Sequence, residues 1–508
     1  MSILSFEKRK EVLNAIRGEE NNARKATSLK QSEIYNDRLF QYVKEELLRH
    51  FSSETVSEMP IVSFINFPRR IVNQEASIYK GDPIRSFSRI NGELTDKQKE
   101  KIKLNYEAMR ADVKLKSANQ KYKLQDQTHI MCLPLNGQLK IRALFQHQVD
   151  VIPSAKNPEV AEAYIISSFD KERYLTYQQE KSATGFSSRS QGNQQPGVNT
   201  VIADKEDYKK SLEYYVYWDK QYNFVFNGKG QIIDPETREP LENITDEDIL
   251  SPIPGIIPIV DISLDKDFEY FVRSGLAVSD FGTQYNAAMS DLWHIVRMQA
   301  YAVGVLIAPD GTLPENTRMG PNMYLNLKTN PDAGINASDI DFKFVSPNPD
   351  IQSSLNFLET MLMNFMASRG LDPKEIATDG GKSFNSALER MLAMIDEFEA
   401  TKDDFKLFMR VEEELFEIVK AWLNNASDQL DEKFRVEIPE DAKISVQFEE
   451  PQLVQTKSEK IKYWEDRISN GLASRVDAIM DIEGLDREMA IERVLEIDGQ
   501  KASQELSE

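Results

Sequence analysis

Ser279-Asp-Phe-Gly-Thr-Gln-Tyr-Asn-Ala-Ala-Met-Ser-Asp-Leu-Trp-His-Ile-Val-Arg-Met-Gln-Ala-Tyr-Ala-Val-Gly-Val-Leu-Ile-Ala308 is the stretch on which the reading of the fold turns. Phe281, Tyr285, Met289, Leu292, Val296 and Ala300 recur at helical spacing and form one apolar stripe. They predict a helix of roughly 29 residues, about 43 Å long at 1.5 Å per residue. Ser279 or Asp280 is the expected cap, and Pro309 marks the end. A turn-rich insertion of about 40 residues follows, with Pro309-Asp-Gly311, Pro314, Gly320-Pro321, Asn330-Pro331 and Gly334. Short strands at Met323 to Leu327 and Asp341 to Val345 fit between these turns. Ile351, Leu355, Leu358, Leu362 and Phe365 then predict a second helix over Asp350 to Arg369. A third, over Ser383 to Asn425, runs without Gly or Pro for about 42 residues, or about 60 Å. Mean globular helices are only about 11–12 residues, so rods of this length suit a scaffold or an assembly better than a small catalytic domain.

Outward from this core, the chain of 508 residues has room for two to four domains. One cysteine excludes an intramolecular disulfide framework and fits a reducing compartment. No apolar run is long enough to span a membrane, and Glu7-Lys-Arg-Lys-Glu11 leaves no apolar signal-peptide core, so neither is expected. A net charge of −21 fits a soluble surface, or one that repels a polyanion moving past it. It does not fit a protein whose whole surface grips DNA.

Residues 1–50 read as charged helices, with Leu39, Val43, Leu47 and Leu48 as an amphipathic stretch. Ile71, Ala76 and Tyr79 share a predicted helix face that Gly81-Asp-Pro83 terminates. Residues 94–126 are helical and rich in lysine. From Gln127 to Ile262 the pattern is that of strands, with Asn136-Gly137 as a hairpin turn and Ala163 to Gln178 and Leu212 to Phe226 as β-rich runs. Ser182 to Thr200 is a loop rich in Ser, Gly, Gln and Asn. Ile444, Val446 and Phe448 alternate within a strand at 434–450, and the acidic tail from Ser458 is helical, broken at Asn470-Gly471 and Gly484.

Motifs for chemistry are incomplete. Gly380-Gly-Lys-Ser383 opens a helix, but a phosphate-binding loop needs a further Gly where Ile376 stands. Its better reading is a turn with Ser383 as helix cap. His129 and Cys132 point to opposite faces of a strand and cannot share a metal. Trp293 and Trp422 are expected to be packing residues. No enzyme activity, cofactor or metal is expected.

Three stretches carry a family resemblance: Phe67-Pro-Arg-Arg-Ile-Val-Asn-Gln-Glu-Ala-Ser-Ile-Tyr-Lys-Gly-Asp-Pro83, Phe281-Gly-Thr-Gln-Tyr-Asn-Ala-Ala-Met-Ser-Asp291, and Ile468-Ser-Asn-Gly-Leu-Ala-Ser-Arg475 followed by Met489-Ala-Ile-Glu-Arg493. In this order, around a helix–insertion–helix core, the chain resembles the portal, or head–tail connector, proteins of tailed bacteriophages. The resemblance spans roughly residues 60–500. It implies an α+β fold with a wing, made of a helical part (1–126), a β-rich part (127–265) and a long helix with a strand (383–457). Two stem helices (266–308 and 348–370) would flank a clip (309–347), with a channel loop at 371–382 and a helical crown at 458–508. It also implies a dodecameric ring at one capsid vertex of the virion, assembled in the host cytoplasm, through which double-stranded DNA is packaged and ejected. Implied partners are further copies of the chain, the terminase large subunit, a head-completion or adaptor protein, and the major capsid and scaffolding proteins, with no membrane. Lys374, Asp379, Gly380, Gly381 and Lys382 fall in the implied channel loop, where Lys374 and Lys382 are candidates for guiding the DNA backbone. Arg318, Lys328 and Lys343 fall in the implied clip as candidate partner-binding residues. Gly-Gly-Lys-Ser has no residue-by-residue match in the family pattern. The competing reading is another large assembly or adaptor protein without a DNA path.

Overall fold

The computed structural model describes residues 5–90, 92–169, 213–263, 270–271, 277–299, 303–308, 324–328, 341–345, 350–371, 387–448, 457–483 and 487–505. Helices and sheets are mixed, as expected of an α+β chain. The chain falls into two units, Met1–Pro373 with Glu399–Phe448, and Lys374–Phe398 with Glu449–Glu508.

The first unit opens on helices α1 (Phe6–Ile16), α2 (Glu19–Tyr35), α3 (Leu39–Leu47), α4 (Ser53–Glu58) and α5 (Phe67–Glu75). Ser5, Ser52 and Asn66 cap α1, α4 and α5, each side-chain oxygen accepting from a backbone amide three residues on. Helix α5 is shorter than its apolar spacing predicts. Ile71, Ala76 and Tyr79 are all buried, but the helix ends at Glu75 and Tyr79 lies in the turn beyond it. Burial of three residues here reflects tertiary packing and not a continuous helical face.

The lysine-rich segment forms α6 (Asp96–Met109) and α7 (Ala111–Gln125). Thr95 and Gln98 make a reciprocal capping box at its start, and Arg110, with φ 52°, breaks the two helices apart. Behind them lies an antiparallel sheet of β2 (Thr128–Leu135), β3 (Gln138–Leu144) and β8 (Ile259–Ile262), in the order β3-β2-β8. Asn136 and Gly137 both have positive φ (52° and 72°), the geometry that joins β2 to β3 in a tight hairpin. A second sheet runs β4-β5-β6-β7, from Val149–Pro153, Ala161–Phe169, Glu213–Asp219 and Asn223–Asn227. Tyr215 lies directly across from Phe226, and Tyr217 from Phe224, and both pairs stack. Leu13 and Ile16 of α1 close this face.

Among the described residues, three more helices and five more strands belong to this unit. They are α8 (Val278–Gln299), β9 (Val303–Ala308), β10 (Tyr324–Lys328), β11 (Asp341–Val345), α9 (Ile351–Ser368) and α10 (Ala387–Asn425), whose first residues belong to the second unit. Strand β12 (Ala442–Gln447) pairs antiparallel with β1 (Ile84–Arg89). Burial alternates along β12, with Ile444 and Val446 inside as the sequence predicts and Ala442 beside them, but the strand covers only Ala442–Gln447 of the predicted 434–450, and the buried Phe448 lies just past its end. Helix α10 is 39 residues, about 58 Å. Within it Phe408, Val411, Leu415, Phe416, Val419 and Trp422 are essentially without solvent contact, and they join α6, α7, β2, β3 and β12 in one core. Trp422 also donates its indole N–H to the Cys132 carbonyl at 2.9 Å.

One expectation fails here. The predicted helix ends at Gln299, and residues 303–308 are the central strand of a sheet ordered β10-β9-β11. β9 runs parallel to β10 and antiparallel to β11. The run Val303-Gly-Val-Leu-Ile-Ala308 is apolar throughout, so it has no period to distinguish helix from strand, and its Gly and β-branched residues favour the strand. Ser279 and Asp280 do not cap α8 from outside, because the helix already begins at Val278.

In the second unit, α11 (Lys457–Ser469), α12 (Arg475–Glu483) and α13 (Arg487–Glu505) form the helical tail. Gly471, at φ 69°, ends α11 as predicted, while Gly484 and the loop at 182–200 lie outside the described residues. Trp464 of α11 donates to Asp481 of α12 at 2.8 Å.

Candidate assembly surface

The helices that bracket the β9–β11 sheet are held to the first unit in two different ways. Helix α8 docks largely through a face of small and polar residues, and the apolar stripe adds Tyr285, which sits edge-on to Phe67 of α5 with ring centroids 5.0 Å apart. Gly282, Thr283, Asn286, Ala287 and Ser290 are buried. The facing segment 60–66 belongs to no helix or sheet, so its backbone polar groups need partners. Two come from α8. The Val62 amide donates to Ser290 Oγ at 2.8 Å, and Asn286 Nδ2 donates to the Ile65 carbonyl at 2.8 Å. A Cβ at Gly282 would run into the ring of Pro68, so this close approach requires glycine.

With the small face turned inward, part of the apolar stripe is left outside. Phe281 stacks on Phe365 of α9, with ring centroids 4.0 Å apart, and Leu292 is buried. Val296 is exposed, and Trp293 keeps 48% of its surface in solvent, against the expectation that it packs inside the chain. Helix α9 behaves alike. Asp350 caps it by accepting from the Ser353 amide at 2.9 Å, and Leu358 and Met366 are buried. Leu355 and Met363 are exposed, and Phe357 is 63% exposed.

Where α9 ends, ion pairs fix the chain. Arg369 binds Glu75, with one of its two hydrogen bonds at 2.9 Å, and also reaches the Lys123 carbonyl. Lys123 pairs with Asp404 of α10 at 2.6 Å, and Asp404 is almost completely buried. Burial opposes the charge on Arg369, but the hydrogen bonds and charge of Glu75 more than offset it, and its pKa is raised. Burial pushes the Asp404 carboxyl up, and Lys123 only partly offsets that. A second buried network holds α10 to β1, where Arg85 grips Glu412 through two hydrogen bonds of 2.9 and 2.6 Å and Tyr79 adds a third at 3.1 Å. Neither network has a local sequence signal, because its partners lie hundreds of residues apart.

Of the residues singled out from sequence, Lys328 ends β10 and Lys343 lies in β11, the two edge strands of the small sheet. Arg318, Lys374, Asp379, Gly380, Gly381, Lys382 and the cap Ser383 lie outside the described residues. His129 and Cys132 take separate partners. His129 Nδ1 hydrogen-bonds Asp261 at 2.6 Å, with Tyr164 donating to the other carboxylate oxygen, and Cys132 packs on the Met109 sulfur. Burial pushes the Cys132 thiol up to about 12. Among the described residues no helix is long and apolar enough to cross a membrane, and no group of three or more candidate ligands is placed to hold a metal.

No family model matches the chain, and no curated protein matches it. Among solved structures, it is similar to a chain of the virion of a native gene transfer agent particle. The two are 12% identical, the likeness covers 82% of this chain and 88% of that one, and the TM-score is 0.37. The reading of function therefore starts from this chain's own residues and geometry.

Proposed function

We propose that this chain is a phage portal protein, a subunit of a ring through which double-stranded DNA enters and leaves a capsid. The observation that carries the reading is the pair α8 and α9. They bracket a small three-stranded sheet, and they leave Trp293, Val296, Leu355, Phe357 and Met363 in solvent. Apolar side chains exposed along neighbouring helices call for a cover. In a ring every subunit presents one face to the neighbour before it and another to the neighbour after it, so each copy supplies the cover for the next. The motif order at 67–83, 281–291 and 468–493 supports the same reading.

In this account α8 and α9 are the stem, the β9–β11 sheet is the clip that meets terminase and later an adaptor, and 371–382 is the channel loop. The ring is a dodecamer at one vertex of the virion, in contact with capsid and scaffolding proteins. The chain hydrolyses nothing itself. A conduit must let DNA slide, and every phosphate contact adds friction, so an overall charge of −21 suits it. Lys374 and Lys382 guide the backbone at the constriction, and Arg318, Lys328 and Lys343 meet the clip partners. Negative-stain imaging of the purified protein tests the ring, for which we expect closed particles with an open axis. Compact monomers at all concentrations would favour the adaptor reading. Charge reversal at Lys382 tests the channel loop, and unchanged packaging by Lys382→Glu particles would remove that role.

A further inference from the structure

The cations of α7 and β3 stand out against the acidity of the whole chain. Lys140 and Arg142 project from the same side of β3, alternating with the buried Leu139, Ile141 and Ala143. Lys121 of α7 donates to the Ala143 carbonyl at 2.6 Å, and its ammonium lies 4.1 Å from the centre of the Phe145 ring, which stacks on His147. Burial and then the charges of Arg142 and Lys114 hold the Lys121 ammonium down to about 8, so these three cations are close enough to repel one another. No acidic group opposes that repulsion at Lys121. The nearby acid on α7, Asp112, is engaged by Arg85, and Lys123 is engaged by Asp404. Lys114, Lys121 and Arg142 are thus gathered, with Lys140 beside Arg142 on the same side of β3, and no acidic side chain is paired to these four among the described residues.

Such a cluster lowers stability unless something anionic relieves it. A lysine bonded to an edge-strand carbonyl guards β3 against stray pairing. That role accounts for Lys121 alone, and not for Lys114, Lys140 and Arg142. We propose that the α7–β3 face binds the phosphate backbone of duplex DNA, at a place separate from α8, α9 and residues 371–382. Lys114 and Lys121 are seven residues apart, about 10.5 Å along the helix, a span comparable with the roughly 12 Å width of a DNA major groove. The net charge of −21 does not prevent this. At physiological ionic strength charges beyond about 8 Å are largely screened, so a phosphate at this face feels the local cations more than the distant carboxylates. The proposal goes beyond the ring reading and does not rest on it.

The test is fluorescence anisotropy of a labelled 30-base-pair duplex with the full chain, over a range of salt concentrations. Wild type is compared with Lys114→Gln/Lys140→Gln/Arg142→Gln and with a charge-matched control, Lys44→Gln/Lys443→Gln/Lys462→Gln. All six side chains reach solvent, so both variants keep the fold, which circular dichroism checks. We expect the α7–β3 variant to lose about tenfold or more in affinity at low salt. The slope of log K against log salt should become shallower by roughly 2 to 3, near 0.9 for each phosphate contact removed. The control should fall short of both changes. Equal losses in the two variants would overturn the proposal, because the attraction would then be diffuse. So would tighter binding of poly-glutamate than of the duplex, which would make the face a protein-docking site. A second readout is lysine acylation at pH 8 followed by mass spectrometry, where duplex should slow labelling of Lys121 severalfold and labelling unaffected by duplex would contradict the contact. Mass photometry on the same samples scores ring formation separately, so loss of DNA binding and loss of assembly are read apart.

Discussion

The second half of α10 and the α8–α9 pair use similar side chains to opposite ends. From Phe408 to Leu423, α10 buries Phe408, Val411, Leu415, Phe416, Val419 and Trp422 within its own chain, and even Glu412 is sealed and neutralised by Arg85. On α8 and α9, Trp293, Val296, Leu355, Phe357 and Met363 meet solvent. The first helix is finished inside one subunit. On the proposed reading, the second pair is finished only when another copy covers it. Composition cannot tell these apart, because what differs is the geometry of neighbours and not the residues themselves.

The largest effects should come from breaking the finished side. Trp422→Ala removes a buried indole and its hydrogen bond to Cys132, and should cost about 3–5 kcal/mol of stability in a denaturant titration. Glu412→Ala removes two hydrogen bonds from the largely buried Arg85 guanidinium and leaves it only the half-exposed Asp112 as a charged partner, and should cost about 2–4 kcal/mol. Loss of less than about 1 kcal/mol in either would mean that α10 is not the centre of the core.

Between the two regions lies the dock of α8. Gly282→Ala places a methyl against Pro68 and should cost about 1–3 kcal/mol through overpacking. It should also raise amide exchange at Val62, whose N–H bonds to Ser290, about two turns further along the same face. Unchanged exchange at Val62 would argue that α8 is held mainly by its apolar contacts.

The smallest effect sharpens the electrostatic side. Lys121 is charged below about pH 8 in the folded chain, against 10.5 for its ordinary value. Between those values the unfolded chain holds a proton that the folded chain does not, so this group's penalty fades as pH rises from about 8 to 10.5. Lys121→Met should therefore gain on the order of 1 kcal/mol over wild type at pH 7, and the gain should vanish near pH 10.5. A gain that stays constant with pH would show that packing, and not charge, is responsible.

The sequence makes visible whatever is local. Asn136-Gly137 announces its hairpin through the positive φ that both residues adopt, Asp350 announces the start of α9, and the alternation of Ile444, Val446 and Phe448 announces β12, though not its bounds. Strand β1 is invisible alone, because the partner that defines it lies more than 350 residues away. Residues 303–308 are apolar throughout and carry no period of their own, so the helix predicted through them gives way to a strand only where β10 and β11 pair with them. The dock of α8 escapes a search for apolar stripes because Gly282, Asn286 and Ser290 pack by closeness and hydrogen bonding. For the same reason Trp293 looked like a core residue. The channel-loop residues Lys374 and Lys382 and the clip residue Arg318 lie outside the described residues, so their roles stand on the family resemblance.

The most direct test of the central claim is the mass of the particles formed by wild type and by Trp293→Glu/Phe357→Glu, measured side by side by mass photometry. Both replaced side chains are exposed, Trp293 by about half and Phe357 by more, so the isolated fold should tolerate the charges. The account predicts rings of about twelve subunits for wild type and monomers of unchanged helicity for the variant. A wild type that stays monomeric over a wide concentration range, or a variant that assembles as wild type does, would contradict it.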